Sequence, residues 1–400
     1  MALLSSYEAW HGGEVVFHAL AQGLAARGHE VTLLCRSGSA LSERLVGAAG
    51  VRVVHSRLRG EGDPRTHAGV ARALRRARAE ALLTNLGRDL KFGAVSARLL
   101  SVPHVHRYAE VARRLPPAPG RAGSAAAVGR PAGSRRKRLE RRLLRSWVAG
   151  CVTPSAFARD LLLERVPGAR PVTVVHNGVD ATRFAPDAAG GRRWRAAHGL
   201  RPDEPLVGCV GQLDLGRKAQ HVLLAAAARA LRRPRVVFVG EGADAGELRR
   251  LAAELGVEAR FTGFEDDPRG AYNGCDVVAL PSRQESFGLA VAEAMACGRA
   301  VVAARAASIP ELLRGGVEGW LVPPDDPAAL AAALDESLAA PGLRARRGAA
   351  ARARVQAAFT IQNMVSGYEA ALDAARAGRF AELVAGDLRR PPAEKTESPA

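Results

Sequence analysis

The sequence predicts an α/β protein with two doubly wound parallel sheets in tandem, and three observations carry that expectation. Short β-branched or leucine-rich runs alternate with Ala/Leu/Arg stretches of helical character, the pattern of a parallel sheet covered on both faces. The plan occurs twice along the 400 residues. A stretch rich in Pro, Gly and polar residues, Phe184 to Pro205, separates the two copies. At roughly 150 residues per domain the length suits two to three domains.

In the first copy the strands are placed at Ala2–Ser5, Glu30–Cys35, Val51–His55, Ala81–Thr84 and Val172–Val175, with helical patterns at Val15–Arg27 and His67–Ala79. Gly28 and His29 follow the first helix as terminators before a strand. The second copy places strands at Leu206–Val210, Val236–Gly240, Val277–Leu280 and Ala300–Ala304. These patterns divide the chain into a first domain at 1–187, a linker at 188–204 with room for one helical turn, and a second domain at 205–358. Leu115 to Ser134 is too rich in Pro and Gly for a helix or strand and is expected to be a mobile loop within the first domain. Residues 389–400 are expected to form a disordered tail.

Hydrophobic residues at 48% and charged residues at 24% exclude a wholly disordered chain. The five cysteines are odd in number, scattered and free of zinc-like spacing, which suits a reducing compartment. No basic N-terminal region leads into an apolar core, and no run of 18 residues lacks polar interruption, so a cytoplasmic location is expected. The net charge of +18 is not evenly spread: residues 1–200 hold 33 Lys+Arg against 14 Asp+Glu, and residues 201–400 hold 25 against 26. Residues 101–150 alone carry 12 basic and 2 acidic side chains, a field suited to an anionic membrane surface or a phosphate-bearing ligand. Only four of the 58 basic residues are lysines, so part of the excess is discounted as arginine-rich coding bias. With 4% aromatics and no reader motif, a nucleic-acid-binding protein is set aside.

Ligands of open parallel sheets lie beyond the carboxyl ends of the strands, so the segments that follow strands carry the candidates. After the first strand, Trp10-His11-Gly12-Gly13 opens a helix; it is either an approach for an anion or sugar or a plain turn. Gly211-Gln212-Leu213-Asp214-Leu215-Gly216-Arg217-Lys218 ends in two cations, either a diphosphate-neutralising loop or a solvated pair. Gly240 to Gly246 misses the dinucleotide fingerprint by one residue, and a nicotinamide reading is rejected. In Pro281 to Ala304, Glu285 precedes a helix opening near Phe287-Gly288, and Glu293 lies eight residues later. Helix N–H groups beside carboxylates can take phosphate and hydroxyls of one ligand; the alternative is a dipole-stabilising acid and an exposed helix residue.

The segment Glu285 through Glu293, ESFGLAVAE, resembles the Glu, seven residues, Glu signature of the retaining glycosyltransferases of family 4, which have the GT-B fold. VVHNGVDATRF, VGQLDLGRKAQHVLLAAA, VFVGEG, FTGFEDDP, CDVVALPS, IPELLRGGVEGWLVPPDD and FTIQNMVSGYEA resemble that family in its order, and the likeness covers about residues 10–375. The resemblance implies two Rossmann-like domains facing across a cleft, the first for the acceptor and the second for the nucleotide sugar, with a C-terminal helix at 359–388 crossing back to the first. It implies that Glu293 binds the ribose hydroxyls, that Glu285 takes a hydroxyl of the donor sugar, and that Ser286, Phe287, Gly288 and Leu289 meet sugar and diphosphate. Lys218, helped by Arg217, would stabilise the leaving diphosphate, Gly263-Phe264 would lie against the base, and Gly12-Gly13 would close over the donor phosphates. Gly211 and Gln212 belong to the same donor loop.

Three departures stand out. Gln212 occupies a position where the family commonly has Arg, with Arg217 as its replacement. Ala307-Ser308 stands where the family has Gly-Gly, with Glu311 retained. Of His104 and His106, His106 is the candidate that approaches the sugar, because it lies farther toward the carboxyl end of its strand. The implied chemistry is transfer from a nucleotide-diphosphate sugar with retained configuration, without a metal or cofactor, to a glycan or lipid-linked acceptor of cell-envelope polysaccharide or glycolipid synthesis. Asp266-Asp267 is read as helix capping rather than a metal site. Ser134 to Trp147 places Leu139, Leu143, Leu144 and Trp147 on one side of a helix, packed on the sheet or laid on anionic lipid, as in a peripheral membrane protein. The alternative function is a catalytically inactive GT-B partner subunit, prompted by Gln212 and Ala307. A phosphorylase is disfavoured because Lys218 and Lys395 are the only lysines of the second half.

Overall fold

The computed structural model describes residues 1–111 and 135–388; the loop expected at 115–134 and the tail expected at 389–400 lie outside the described residues. The chain divides into two compact units, the first holding described residues 1–110, 135–176 and 361–388, the second Asn177–Thr360.

In the first unit the elements run β1 (Ala2–Ser5), α1 (Gly12–Ala26), β2 (Val31–Cys35), α2 (Ala40–Leu45), β3 (Val51–His55), α3 (Pro64–Arg76), β4 (Leu82–Thr84), α4 (Gly87–Leu99), β5 (His104–Arg107), α5 (Arg135–Ser146), β6 (Gly150–Thr153), α6 (Ala156–Arg165) and β7 (Val172–Val174). The strands form one sheet in the order β3-β2-β1-β4-β5-β6-β7, parallel throughout. Every residue of β1, β2, β4, β5 and β6 is buried, as both-face coverage of a parallel sheet demands, whereas the edge strand β3 is half-exposed. Helix starts carry their own caps: Asp63 accepts from Arg65 N–H with Pro64 at the first helical position, and Ser155 accepts from Ala158 N–H.

The second unit continues with α7 (Ala188–Ala197), β8 (Leu206–Val210), α8 (Gln220–Arg229), β9 (Arg235–Val239), α9 (Ala245–Glu254), β10 (Ala259–Gly263), α10 (Arg269–Gly274), β11 (Val277–Leu280), α11 (Leu289–Ala296), β12 (Ala300–Ala304), α12 (Ile309–Leu312), β13 (Gly319–Val322), α13 (Pro327–Ala339) and α14 (Pro341–Ala358). Its sheet has the order β10-β9-β8-β11-β12-β13. Alternate residues of each strand feed two separate apolar clusters: Val237, Val239, Val278, Leu280, Val301 and Ala303 enter one, and Val236, Phe238, Val277, Ala279, Ala300 and Val302 the other. That period of two is the signature of a sheet buried on both faces.

The last helices, α15 (Ile361–Arg376) and α16 (Phe380–Leu388), belong to the first unit. A Cβ on Gly23 of α1 would stand 2.4 Å from Val365 Cγ2, so the two helices approach closely. Glu369 of α15 receives Arg27 Nη1 and meets His29 Nε2, each at 2.6 Å, which gives His29 a partner that its place after a helix did not announce.

Residues 188–204, read from the sequence as a linker, hold the ten-residue helix α7 and belong to the second unit. Trp194 is 8% exposed and its indole N–H donates to both carboxylate oxygens of Glu265, while Arg195 is buried against Gly274 O and Asp276. A Cβ on Gly191 would come 2.3 Å from Asn273 O, so this glycine serves close packing of α7 on α10. On α5, Leu143 and Leu144 are buried with Trp147 packed beside them, whereas Leu139, expected on the same covered side, is 47% exposed.

Candidate functional site

The order of the second sheet reverses between β8 and β11, the switch point at which a doubly wound sheet opens a crevice beyond its strand ends. The segments after those two strands meet there. After β8, Gly211 has φ +138, and a Cβ on Gly240 would fall 2.1 Å from Gly211 O, so the loop starts in tight backbone contact with the end of β9. Leu213 N–H donates to Glu241 O, Leu215 N–H to Asp244 Oδ2, and Gln220 Nε2 to Gln212 O. Lys218 follows, and Ala219 after it takes the left-handed conformation at φ 51°, ψ 35°, a strained state for a residue with a Cβ. The Lys218 ammonium donates to Glu285 Oε1 at 2.6 Å, with the two side chains 22% and 10% exposed. Arg217 bonds Asp214 and donates to Gln212 Oε1 at 2.8 Å, so a guanidinium stands beside the position where Gln212 replaces the family's cation.

After β11, Glu285 is fixed from behind by Ser308, whose hydroxyl donates to Glu285 O at 3.0 Å. Ala307 adopts φ +51, so the substituted Ala-Ser pair keeps a left-handed backbone without glycine and adds a hydroxyl that holds the candidate acid. Ser286 follows Glu285, and Phe287, 1% exposed, packs edge-on against Phe359. Gly288 precedes α11 at φ 98°, ψ 56°, where a Cβ would lie 2.8 Å from Ile309 Cδ1. That backbone favours glycine, and Leu289 begins the helix.

Glu293 is the fifth residue of α11 and accepts a 2.7 Å hydrogen bond from Tyr272 Oη. Burial raises its carboxyl to about 7, against the Tyr272 hydrogen bond and the Arg183 charge, which lower it. Burial, then the neighbouring Glu293, holds the Tyr272 hydroxyl well above its ordinary range. At the end of β10, Gly263 has φ +85 and accepts from Gly240 N–H, leaving Phe264 54% exposed. Asp267 accepts from Arg269 N–H and pairs with its guanidinium at the start of α10, but the N-cap position itself is Pro268, with no side-chain cap, so the acidic pair read from the sequence as capping does not fill that place. Among the described residues no group of three or more His, Cys, Asp or Glu could hold a metal ion.

The first unit holds the remaining predicted residues. Gly12 and Gly13 open α1. His106 lies within β5 and its Nδ1 meets Thr84 Oγ1 at 2.8 Å, while the same hydroxyl meets His104 Nε2 at 2.8 Å. Burial drives His104 down to about 3 and, with the neighbouring His104 and Arg107 charges, His106 well below its usual value, so both rings are neutral sheet residues. Sequence reasoning missed the polar side chains beside them. Arg107 donates to Asn85 Oδ1 at 3.0 Å, Asn85 Nδ2 to Glu14 Oε1 at 3.1 Å, and Ser5 Oγ to the same oxygen at 3.3 Å. Burial raises the Glu14 carboxyl, and the completely covered Asp89, which accepts from Ser6 and Leu86 N–H groups, is raised by burial to about 7. Ser5, Asn85 and Arg107 all stand at or just past the ends of the adjacent strands β1, β4 and β5. The signal for them was position alone, polar residues closing three neighbouring strands.

Residues 10–183 match Glycosyltransferase Family 4, and residues 204–340 match Glycosyl transferases group 1. The two glycosyltransferase matches divide the chain between them, family 4 in the first part and group 1 in the second. Over 225 residues it is 38% identical to a D-inositol 3-phosphate glycosyltransferase of Mycolicibacterium gilvum, covering 54% of this chain and 50% of the relative. Over 209 residues it is 40% identical to the Mycobacterium tuberculosis protein of the same name, covering 49% and 42%. The chain therefore spans about half the length of the curated relatives it matches. Among solved structures, HepE of Anabaena in complex with UDP-glucose superposes with a TM-score of 0.79 at 21% identity, covering 93% of this chain and 99% of that one. Sucrose-phosphate synthase of Thermosynechococcus elongatus gives 0.78 at 23% identity, covering 96% and 99%. These likenesses establish the fold as GT-B, with two parallel-sheet α/β units of seven and six strands.

Proposed function

We propose that this glycosyltransferase moves a sugar from a nucleoside-diphosphate donor, held by the second unit, to a glycan or lipid-linked acceptor, with the anomeric configuration retained. The Lys218–Glu285 pair at the β8/β11 switch point, with Glu293 on the helix that follows, is the observation that carries this reading. Lys218, with Arg217, offers positive charge to the diphosphate, whose charge grows as the glycosidic bond breaks; a cation already in place stabilises that transition state without reorganisation. Glu285 offers an acceptor for a sugar hydroxyl. Glu293, in its ionised form, accepts from the ribose hydroxyls, and Phe264 offers an exposed ring to the base. Retention is assigned to attack on the face the diphosphate leaves, with the departing phosphate oxygen taking the acceptor's proton. HepE has been solved with UDP and with UDP-glucose, which makes UDP the first nucleotide to test.

In the first unit an open depression of about 640 Å³, lined by Glu61, Arg88, Arg136 and Leu139, offers an acceptor site where two arginines stand beside a carboxylate. The curated relatives are named for a phosphorylated polyol, and a phosphate-bearing acceptor suits those arginines. Arg136, Lys137, Arg138, Arg142 and Arg145 of α5 are exposed, which favours contact with an anionic membrane surface, in keeping with a role in envelope synthesis. Among the described residues no helix is long and apolar enough to cross a membrane.

Thermal shift against UDP, GDP, ADP, CMP and inorganic phosphate tests the donor assignment, because a ligand of the native state raises stability by mass action. One nucleoside diphosphate is expected to stabilise the protein and Glu293→Ala to lose most of that shift. Absence of any shift would sink the reading and favour an inactive partner subunit. Flotation with vesicles containing anionic lipid at low salt tests the membrane contact, and no co-flotation would remove it.

A further inference from the structure

Arg283 lies two residues before Glu285 in the segment between β11 and α11, and its side chain is 7% exposed. A guanidinium so covered needs partners for its donors. Its Nη1 reaches Gly216 O at 3.4 Å, and its Nε donates to Asp325 Oδ1 at 2.6 Å. Asp325 is itself a non-glycine residue at φ +60, so the far end of this tie rests on a constrained loop. The backbone of the segment makes the same connection: the N–H groups of Arg283 and Gln284 both donate to Arg217 O, at 2.8 and 3.3 Å.

Lys218 is thus bracketed. The carbonyls of the two residues before it are clamped by the Arg283 segment, and the residue after it, Ala219, is left-handed. Arg283 and Glu285 are two apart in the chain; one engages the loop's main chain and the other the Lys218 ammonium. A lysine has a long flexible stem, and a point charge stabilises a developing anion only if its origin is fixed.

We propose that Arg283 is a positioning residue that fixes the 216–218 backbone and so aims the Lys218 ammonium at the site shared with Glu285. The inference rests on the donor reading above, in that Lys218 is the group taken to act on the diphosphate.

The chain's four lysines make a direct test practicable, because protein carrying 13C-lysine shows four ε-methylene signals, one of which Lys218→Ala removes and thereby assigns. In Arg283→Ala, and in the milder Arg283→Gln, the Lys218 signal is expected to move toward the value of an unrestrained lysine while the Lys91 signal stays in place. The rate of UDP release from UDP-glucose with water as acceptor is the companion readout. Its kcat is expected to fall at least tenfold with the KM for UDP-glucose within threefold. The Arg283→Ala/Lys218→Ala double variant should be no worse than Lys218→Ala, since the two act as one unit. A Lys218 signal unmoved in both folded Arg283 variants would overturn the proposal, as would losses that multiply in the double variant. Failure of the donor reading shows differently, as a wild-type Lys218 signal that UDP does not perturb, and the comparison between wild type and Arg283 variants still decides whether Arg283 aims the ammonium.

Discussion

Nucleotide affinity is predicted to depend on pH through Glu293. Its carboxyl titrates at about 7 in the folded protein, raised from 4.5 first by burial, while Tyr272 and Arg183 act in the opposite sense. If the ionised form accepts from ribose hydroxyls, protonation must be undone before the nucleotide binds, and affinity falls by about tenfold per pH unit well below that value. Between pH 7.5 and 6.0 the occupancy of the ionised form, and with it the affinity for UDP, drops roughly eightfold. Calorimetric titration of UDP across this range, beside Glu293→Gln, measures it, and the variant corrects for the nucleotide's own terminal phosphate, which titrates near about 6. The free protein shows the opposite linkage. A carboxyl raised on folding prefers to be protonated in the native state, so its contribution to stability is full below 4.5 and is lost as pH rises through about 7. Identical UDP affinity profiles in wild type and Glu293→Gln would refute the reasoning, since they would mean that Glu293 is ionised throughout or takes no part.

Lys218→Ala should lower the turnover of UDP-glucose roughly 100- to 1,000-fold while leaving the midpoint of urea unfolding near that of the wild type, measured by UDP release on protein checked for cooperative unfolding. Gly288→Ala combines a left-handed backbone, costing about 1–2 kcal/mol, with a Cβ 2.8 Å from Ile309 Cδ1, the far end of a flexible side chain whose shift adds less than that. Urea unfolding should show the sum, and a loss below about 1 kcal/mol would mean the loop relaxes freely. Trp194→Ala should destabilise the second unit by about 3–5 kcal/mol. An unchanged urea midpoint would show that α7 is peripheral.

Much of the fold was legible because the buried strands are written in apolar runs: β1, β8, β11 and β12 fall where the runs placed them, and the half-exposed edge β3 falls where its valines placed it. Strands with other compositions carried a weaker signal. β5 reads His-Val-His-Arg and is buried by hydrogen bonding to Thr84 and Asn85 rather than by apolar character, and β10 is a half-exposed edge carrying Arg260. The stretch before β8 misled for a definite reason. Gly190 and Gly191 look like flexibility in a one-dimensional reading, but the missing side chain of Gly191 lets α7 touch α10 and that of Gly190 leaves room for the Asp187 cap, contacts visible only in three dimensions. In the candidate donor site, Glu285, Lys218 and Glu293 were legible through a family resemblance, and the structure brings the first two within hydrogen-bonding distance. Tyr272 and Arg283 were not singled out, and Ser308 was noted only as a departure from Gly-Gly, because each acts through a partner far along the chain. His106 was chosen from its place along a strand, and which face of the sheet its ring bonds on could not be read from that.

The second unit begins and ends at one point. Val179 pairs with Thr360 in an isolated parallel bridge, and Val179 N–H donates to Phe359 O at 2.8 Å, so the chain enters and leaves this unit side by side. Topologically the unit is an insertion between β7 and α15, and the surrounding fold must close only a short gap across it, whatever the length of the inserted chain. Such an arrangement lets the inserted body be excised or circularly permuted at its own ends, at Asn177 and Thr360, rather than at the glycine-rich stretch before β8, where a cut would strip α7 from its core.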